Sequence, residues 1–171
     1  MRIARPAIRG IITIAAFTAA LAATAAPRAA DLPPLPLLNH FMVAISVADL
    51  DGATRWYEDV LGFTVEREAS LDNGRVVFRW LRRGNERIEL VHNPAAVAGP
   101  ARALPPAHVD VHGFTHLTLE TADLAATRAA LLARGVTLVV DITEVKDLGI
   151  KVLFLRDPEG NYIEIAERLR N

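Results

Sequence analysis

Cysteine is missing from all 171 residues. No disulfide framework, no thiolate nucleophile and no acylated N-terminal cysteine is therefore available. A strong charge imbalance is missing too, with 19 basic residues against 20 acidic ones. Aromatics make up only 6% of the chain and do not interleave with a basic stripe. A nucleic-acid partner has no electrostatic basis here, and none is expected. The apolar share, 51%, is ordinary for a globular protein. One compact domain, or two small halves sharing a core, fits this length.

The first thirty residues differ from the rest. Arg2, Arg5 and Arg9 open the chain, and residues 11–26 carry no charge. Ala23-Thr24-Ala25 then offers a small-residue exit. This order reads as a secretory signal peptide over residues 1–30. The apolar run falls short of the roughly 20 residues that a spanning helix needs, so no stable membrane anchor is expected after cleavage. A periplasmic or secreted protein is the expectation. Cleavage would remove four arginines and no acid, leaving 15 basic and 20 acidic residues, a balance of about −5. Residues 31–39, with three prolines, read as an extended start to the mature chain.

The remaining chain repeats itself. ADLDGATR at 48–55 recurs as ADLAATR at 122–128, and Asp49 and Asp123 are 74 positions apart. An alternating apolar run precedes each copy, VAISV and then LTLET. A helical stretch follows each, ending at a glycine that opens LGFTVE or RGVTLVV. The first copy continues with FTVEREAS, RVVFRWLRR and RIELVHN, separated by Asp72-Asn73-Gly74 and Gly84-Asn85. The second continues with VTLVVDITE, IKVLFLR and NYIEIAERL, the last two joined by Asp157-Pro158-Glu159-Gly160. The turn chemistry predicts hairpins in both. Each half thus reads strand, helix, strand, strand, strand, with Asp49 and Asp123 as helix N-caps. Module one spans 40–92, an Ala- and Pro-rich linker 93–111, and module two 112–168.

The repeat also serves as a ruler. His116 lies seven residues before Asp123, and Met42 lies seven before Asp49. Glu89 follows Met42 by 47 residues, and Glu164 follows His116 by 48. Strand alternation puts Phe114, His116 and Thr118 on one face and Leu117 and Leu119 on the other. Ile88 and Leu90 likewise oppose Glu89, and Ile163 and Ile165 oppose Tyr162, Glu164 and Ala166. Each half therefore offers a polar or sulfur-bearing pair, on its first and last strands, pointing away from the apolar side.

VADLDGATRWYEDVLGF, RIELVHNP, GFTHLTLETADL and FLRDPEGNYIEI together resemble the vicinal oxygen chelate superfamily. This group includes glyoxalase I, bleomycin-resistance proteins, fosfomycin-resistance transferases, methylmalonyl-CoA epimerase and extradiol dioxygenases. The resemblance covers residues 40–168. It implies an α+β fold of two tandem βαβββ modules forming a curved mixed sheet around a cavity. It also implies metal ligands on the first and last strands of each module, here Glu89, His116 and Glu164. Met42 departs from the family's first ligand histidine. One imidazole and two carboxylates suit Zn²⁺, Ni²⁺, Co²⁺, Mn²⁺ or Fe²⁺. Glu164 and Glu89 are then the candidate bases for moving a proton between neighbouring carbons.

Other histidines compete for these roles. His40 shares a strand face with Met42 but lies about 6.6 Å further along the chain. Metal–nitrogen bonds of about 2.1 Å do not tolerate that offset without backbone rearrangement. His108, Asp110 and His112 would share one face if extended, although solvated residues ahead of the strand are the simpler reading. His92 belongs either at the cavity rim or on the surface, and Met42 reads most simply as an apolar plug. Two functions follow. One is a divalent-metal-dependent lyase or isomerase resembling glyoxalase I and acting on a small oxygenated substrate. The other is a metal-independent small-molecule binding or sequestering protein of the bleomycin-resistance type. Because compact relatives complete their sites across two copies, a homodimer is expected.

Overall fold

A computed structural model describes residues 36–169, so residues 1–30, where a signal peptide is expected, and most of the 31–39 stretch lie outside the described residues. From residue 40 the chain forms β1 (Val43–Ser46), α1 (Leu50–Leu61), β2 (Thr64–Leu71), β3 (Val76–Arg83) and β4 (Glu86–His92). The pattern then recurs as β5 (His116–Glu120), α2 (Leu124–Ala133), β6 (Val140–Val145), β7 (Ile150–Arg156) and β8 (Tyr162–Arg168). Two four-stranded mixed sheets result, ordered β1-β4-β3-β2 and β5-β8-β7-β6. In each, the first strand runs parallel to the last and forms a sheet edge. The architecture is the expected pair of βαβββ modules with curved sheets.

Local chemistry explains the boundaries. Asp49 accepts from the Gly52 N–H at 2.9 Å, and Asp123 accepts from the Ala126 N–H at 2.8 Å. These bonds satisfy amides that the first turn of each helix leaves free. The β2–β3 hairpin turns on Asp72 and Asn73, both at positive φ (53° and 54°). Asn and Asp tolerate that region better than other side-chain-bearing residues, and two successive positive φ values match the twist of the strands. One expected element differs. Residues 136–139 do not join β6, which starts at Val140 and carries an irregularity before Thr143. Val136 and Leu138 pack instead against the main core, while Val139 packs on the opposite side of the second sheet.

That core belongs to both modules. Tyr57, Leu61, Phe63, Leu81, Ile88 and Leu90 from the first half cluster with Leu131, Leu153, Leu155, Ile163 and Ile165 from the second. All the strand residues named lie on the apolar side of their sheets, as alternation predicts. Among the described residues, side-chain contacts fasten the halves at three places. The Tyr57 hydroxyl donates to Asp157 Oδ2 at 3.0 Å, in a buried setting. The Ala48 N–H donates to Glu159 at 2.6 Å, and Arg134 donates to the Asp59 carbonyl at 3.1 Å.

Asp157 also accepts from the Asn161 backbone and side chain, at 2.8 and 2.9 Å. Burial, reinforced by the Asp157 charge, pushes the Tyr57 phenol well above its ordinary value, so it stays a donor. Replacing Tyr57 with Phe should therefore cost about 1–3 kcal/mol, the penalty for leaving a buried carboxylate short of a donor. Urea unfolding of the protein measures this. A loss below about 0.5 kcal/mol, the range of an ordinary surface substitution, would mean that the contact does not join the modules.

Candidate active site

The polar faces of the two sheets carry the candidate residues. In the second sheet His116 pairs in register with Tyr162, and Thr118 with Glu164. His116 Nε2 lies 4.0 Å from Glu164 Oε2, and the two side chains are 22% and 14% exposed. The other oxygen of Glu164 accepts from the Thr118 hydroxyl at 3.1 Å. One oxygen is thus fixed and the other is turned toward the imidazole. Donors about 2.0–2.2 Å from one ion stand roughly 3.4 Å apart at a tetrahedral angle, so the pair would need a small closing movement to share a divalent cation in that geometry.

Glu89 occupies the matching place in the first sheet, where it pairs with Ala44 on one side and Trp80 on the other. Its Oε1 accepts from the Trp80 indole N–H at 2.7 Å. Arg67 and Arg87 lie over the Trp80 ring at 5.4 and 5.6 Å, and Phe41 meets the same ring edge-on at 5.6 Å. The structure therefore brings His116 and Glu164 together and keeps Glu89 on the other sheet. Among the described residues of one chain, no group of three or more His, Cys, Asp or Glu is placed to hold a metal ion. The residues present form two partial donor sets.

Two surface clefts lie elsewhere. One, of about 430 Å³, is lined by Asp49, Asp51, Glu68, Arg79 and His92. His92 Nδ1 faces the Val47 carbonyl at 3.2 Å, on the helix side of the sheet and away from Glu89. The second, of about 600 Å³, runs between the end of α1 and α2. None of Glu89, His116 and Glu164 lines either cleft.

The linker departs from expectation. His108 is 5% exposed, not solvated, and starts no strand. It sits in a short 3₁₀ turn, Ala107–Val109, packed on the polar face of the second sheet. Its ring lies against Phe154 and Tyr162 at 5.5 and 5.4 Å, and its Nε2 meets His116 Nδ1 at 3.0 Å. Thr115 Oγ1 reaches the same His116 nitrogen at 3.0 Å. The Tyr162 hydroxyl donates to the Ala103 carbonyl at 2.9 Å, tying the linker down. Trp80 was open to inference from sequence: a two-residue turn at Gly84-Asn85 pairs it with Glu89. No sequence pattern pointed to the fold-back of His108.

Residues 37–165 match the Glyoxalase/Bleomycin resistance protein/Dioxygenase superfamily. A mouse mitochondrial methylmalonyl-CoA epimerase is 28% identical over 132 residues, covering 76% of this chain and 72% of that protein. A probable lactoylglutathione lyase from Synechocystis is 27% identical over 134 residues, covering 76% of this chain and 94% of that protein. The crystal structure of a glyoxalase family protein from Enterococcus faecalis superposes with a TM-score of 0.62 at 24% identity. That alignment covers 75% of this chain and 97% of the other.

Burial pushes the His116 imidazole below its ordinary value; the Glu164 charge opposes this and His108 adds to it. The fold thus favours the neutral ring. This stabilisation is fully present above an ordinary imidazole pKa of about 6.5 and is lost as pH falls below it. An NMR titration of the protein should place the His116 midpoint below that ordinary value. Glu164→Gln should lower it further, because the carboxylate is what raises it. A midpoint above the ordinary value would show that Glu164 outweighs burial.

Proposed function

Because the chain belongs to the Glyoxalase/Bleomycin resistance protein/Dioxygenase superfamily, we propose that it is an exported, divalent-metal-dependent lyase or isomerase. Its substrate class is a small oxygenated molecule. The observation that carries this reading is the facing of His116 and Glu164, with one carboxylate oxygen anchored by Thr118 and the other free for an ion. Relatives named for an epimerase and a lyase support the reaction class.

His116, Glu164 and Glu89 would hold a zinc, nickel, cobalt, manganese or iron ion. When bound, the ion supplies Lewis-acid stabilisation of negative charge developing on the substrate's oxygens. The chain's own part is proton transfer and orientation. Glu164, steadied by Thr118, and Glu89, steadied by Trp80, are the groups for taking a proton from one carbon and returning it to its neighbour. Phe154 and Tyr162 supply an apolar wall that limits water beside them.

Glu89 joins the other two residues when a second copy lays its first sheet against the second sheet of this one, in a homodimer. Support comes from β1 and β5, which are edge strands with one hydrogen-bonded side each. Phe114, next to β5, is 93% exposed and offers apolar surface at that edge. The competing reading, a metal-independent binding protein, draws on Met42 in place of a ligand and on the engagement of Glu89 by Trp80.

A metal titration by calorimetry separates the two readings. Wild type should bind Zn²⁺ or Ni²⁺, His116→Ala and Glu89→Ala should each lose binding, and Met42→His should tighten it. An equimolar mixture of the two alanine variants, unfolded and refolded together, should recover about a quarter of the sites, since half the dimers then carry one intact site. Full binding by both alanine variants would leave the binding-protein reading standing. Lack of recovery on mixing would confine the site to one chain.

Export rests on residues 1–30. Intact mass of the protein from the periplasm or medium should show roughly 25–30 N-terminal residues missing. Full-length protein found only in the cytosol would overturn export and leave the metal reading untouched.

A further inference from the structure

We infer that His108 is a positioning residue that sets the tautomer of His116 and so presents the His116 Nε2 lone pair to the site. Three contacts carry the inference. His108 Nδ1 lies 3.2 Å from the Pro106 carbonyl, which can only accept. The ring proton of neutral His108 is therefore on Nδ1, and its Nε2 holds a lone pair. That lone pair faces His116 Nδ1 at 3.0 Å. His116 Nδ1 must then be the donor, which leaves His116 Nε2 unprotonated. This bare nitrogen is the one turned toward Glu164. Thr115 Oγ1, 3.0 Å from the same Nδ1, can accept from it as well.

The chain of contacts is held rigidly. Arg102 donates to the His108 carbonyl at 3.2 Å and to the Val111 carbonyl at 3.1 Å, closing the linker on itself. Phe154 and Tyr162 wall in the His108 ring, and the ring has almost no solvent exposure. Water therefore does not compete for its Nε2. A free imidazole in water favours the opposite form, with the proton on Nε2. In that form His116 would offer Glu164 an N–H and would have no lone pair on Nε2 for a cation. A ligand histidine whose second nitrogen is fixed by a partner commonly depends on that partner by 10–100-fold in metal affinity.

The consequence for metal binding rests on the proposed function, whereas the tautomer stands on the contacts alone. The test is a long-range ¹H–¹⁵N correlation of the histidine rings in metal-free mature protein, followed by zinc calorimetry. Wild-type His116 should show a protonated Nδ1 and a bare Nε2. His108→Leu should move the proton to Nε2 and weaken zinc binding about 10–100-fold. His108→Gln, whose side-chain carbonyl can accept from Nδ1–H, should restore the wild-type pattern and most of the affinity. A protonated Nε2 in wild type would overturn the inference, as would an unchanged tautomer in His108→Leu or a Gln variant that behaves like Leu. If His108→Leu does not fold, the wild-type and Gln spectra still decide. If the tautomers follow this pattern but zinc does not bind, the positioning role is upheld and the metal reading alone falls.

Discussion

The shared core between the modules is the constraint on which the rest of the structure depends. Each sheet turns its apolar face to the same cluster, and the buried Tyr57–Asp157 hydrogen bond joins α1 to the β7–β8 turn across it. Strand alternation then leaves the other face of each sheet free of that duty. Ionisable side chains can occupy those faces without being buried in the main core, where an unpaired carboxylate would cost several kcal/mol. Glu89, His116 and Glu164 all stand on faces released in this way.

Register shows how the duplicated halves have diverged. Glu89 lies between Ala44 and Trp80, and Glu164 lies between Thr118 and Phe154. The residues that correspond are Ala44 with Thr118 and Trp80 with Phe154. Alanine and phenylalanine have no hydrogen to donate, whereas threonine and tryptophan do. Each carboxylate is therefore held by a single neighbouring strand, but from opposite sides. A backbone position that needs one fixed carboxylate oxygen has been met twice, with different chemistry each time.

The fold was legible because two periodicities and one repeat agreed. Apolar alternation marked the strands, the Asp caps marked both helix starts, and the 74-residue offset aligned the halves. The inward side of Ile88, Leu90, Ile163 and Ile165 followed from alternation alone, and the same reasoning put His116 and Glu164 on one face. What lay beyond reach depended on contacts without periodicity. His108 is carried by a linker that folds back over a sheet, and only tertiary packing brings its ring to His116. Val136 and Leu138 look like strand residues, yet they are drawn to the main core while Val139 points the other way. Their irregular backbone reflects packing on two sides, which local propensity does not encode.

Met42 shows the same principle from the opposite direction. Its counterpart His116 works within a prepared setting, with Thr115 and His108 at Nδ1 and Glu164 beyond Nε2. Phe41 precedes Met42 where Thr115 precedes His116, and Phe41 packs edge-on against Trp80 and beneath Arg87. The residue before position 42 thus belongs to an aromatic and cation–π cluster around Trp80, whose indole N–H is the donor that holds Glu89. A histidine introduced there would have no neighbour of the Thr115 or His108 kind to choose its tautomer. The first module has kept its carboxylate and holds it through Trp80, with no imidazole at the place where the second module has His116.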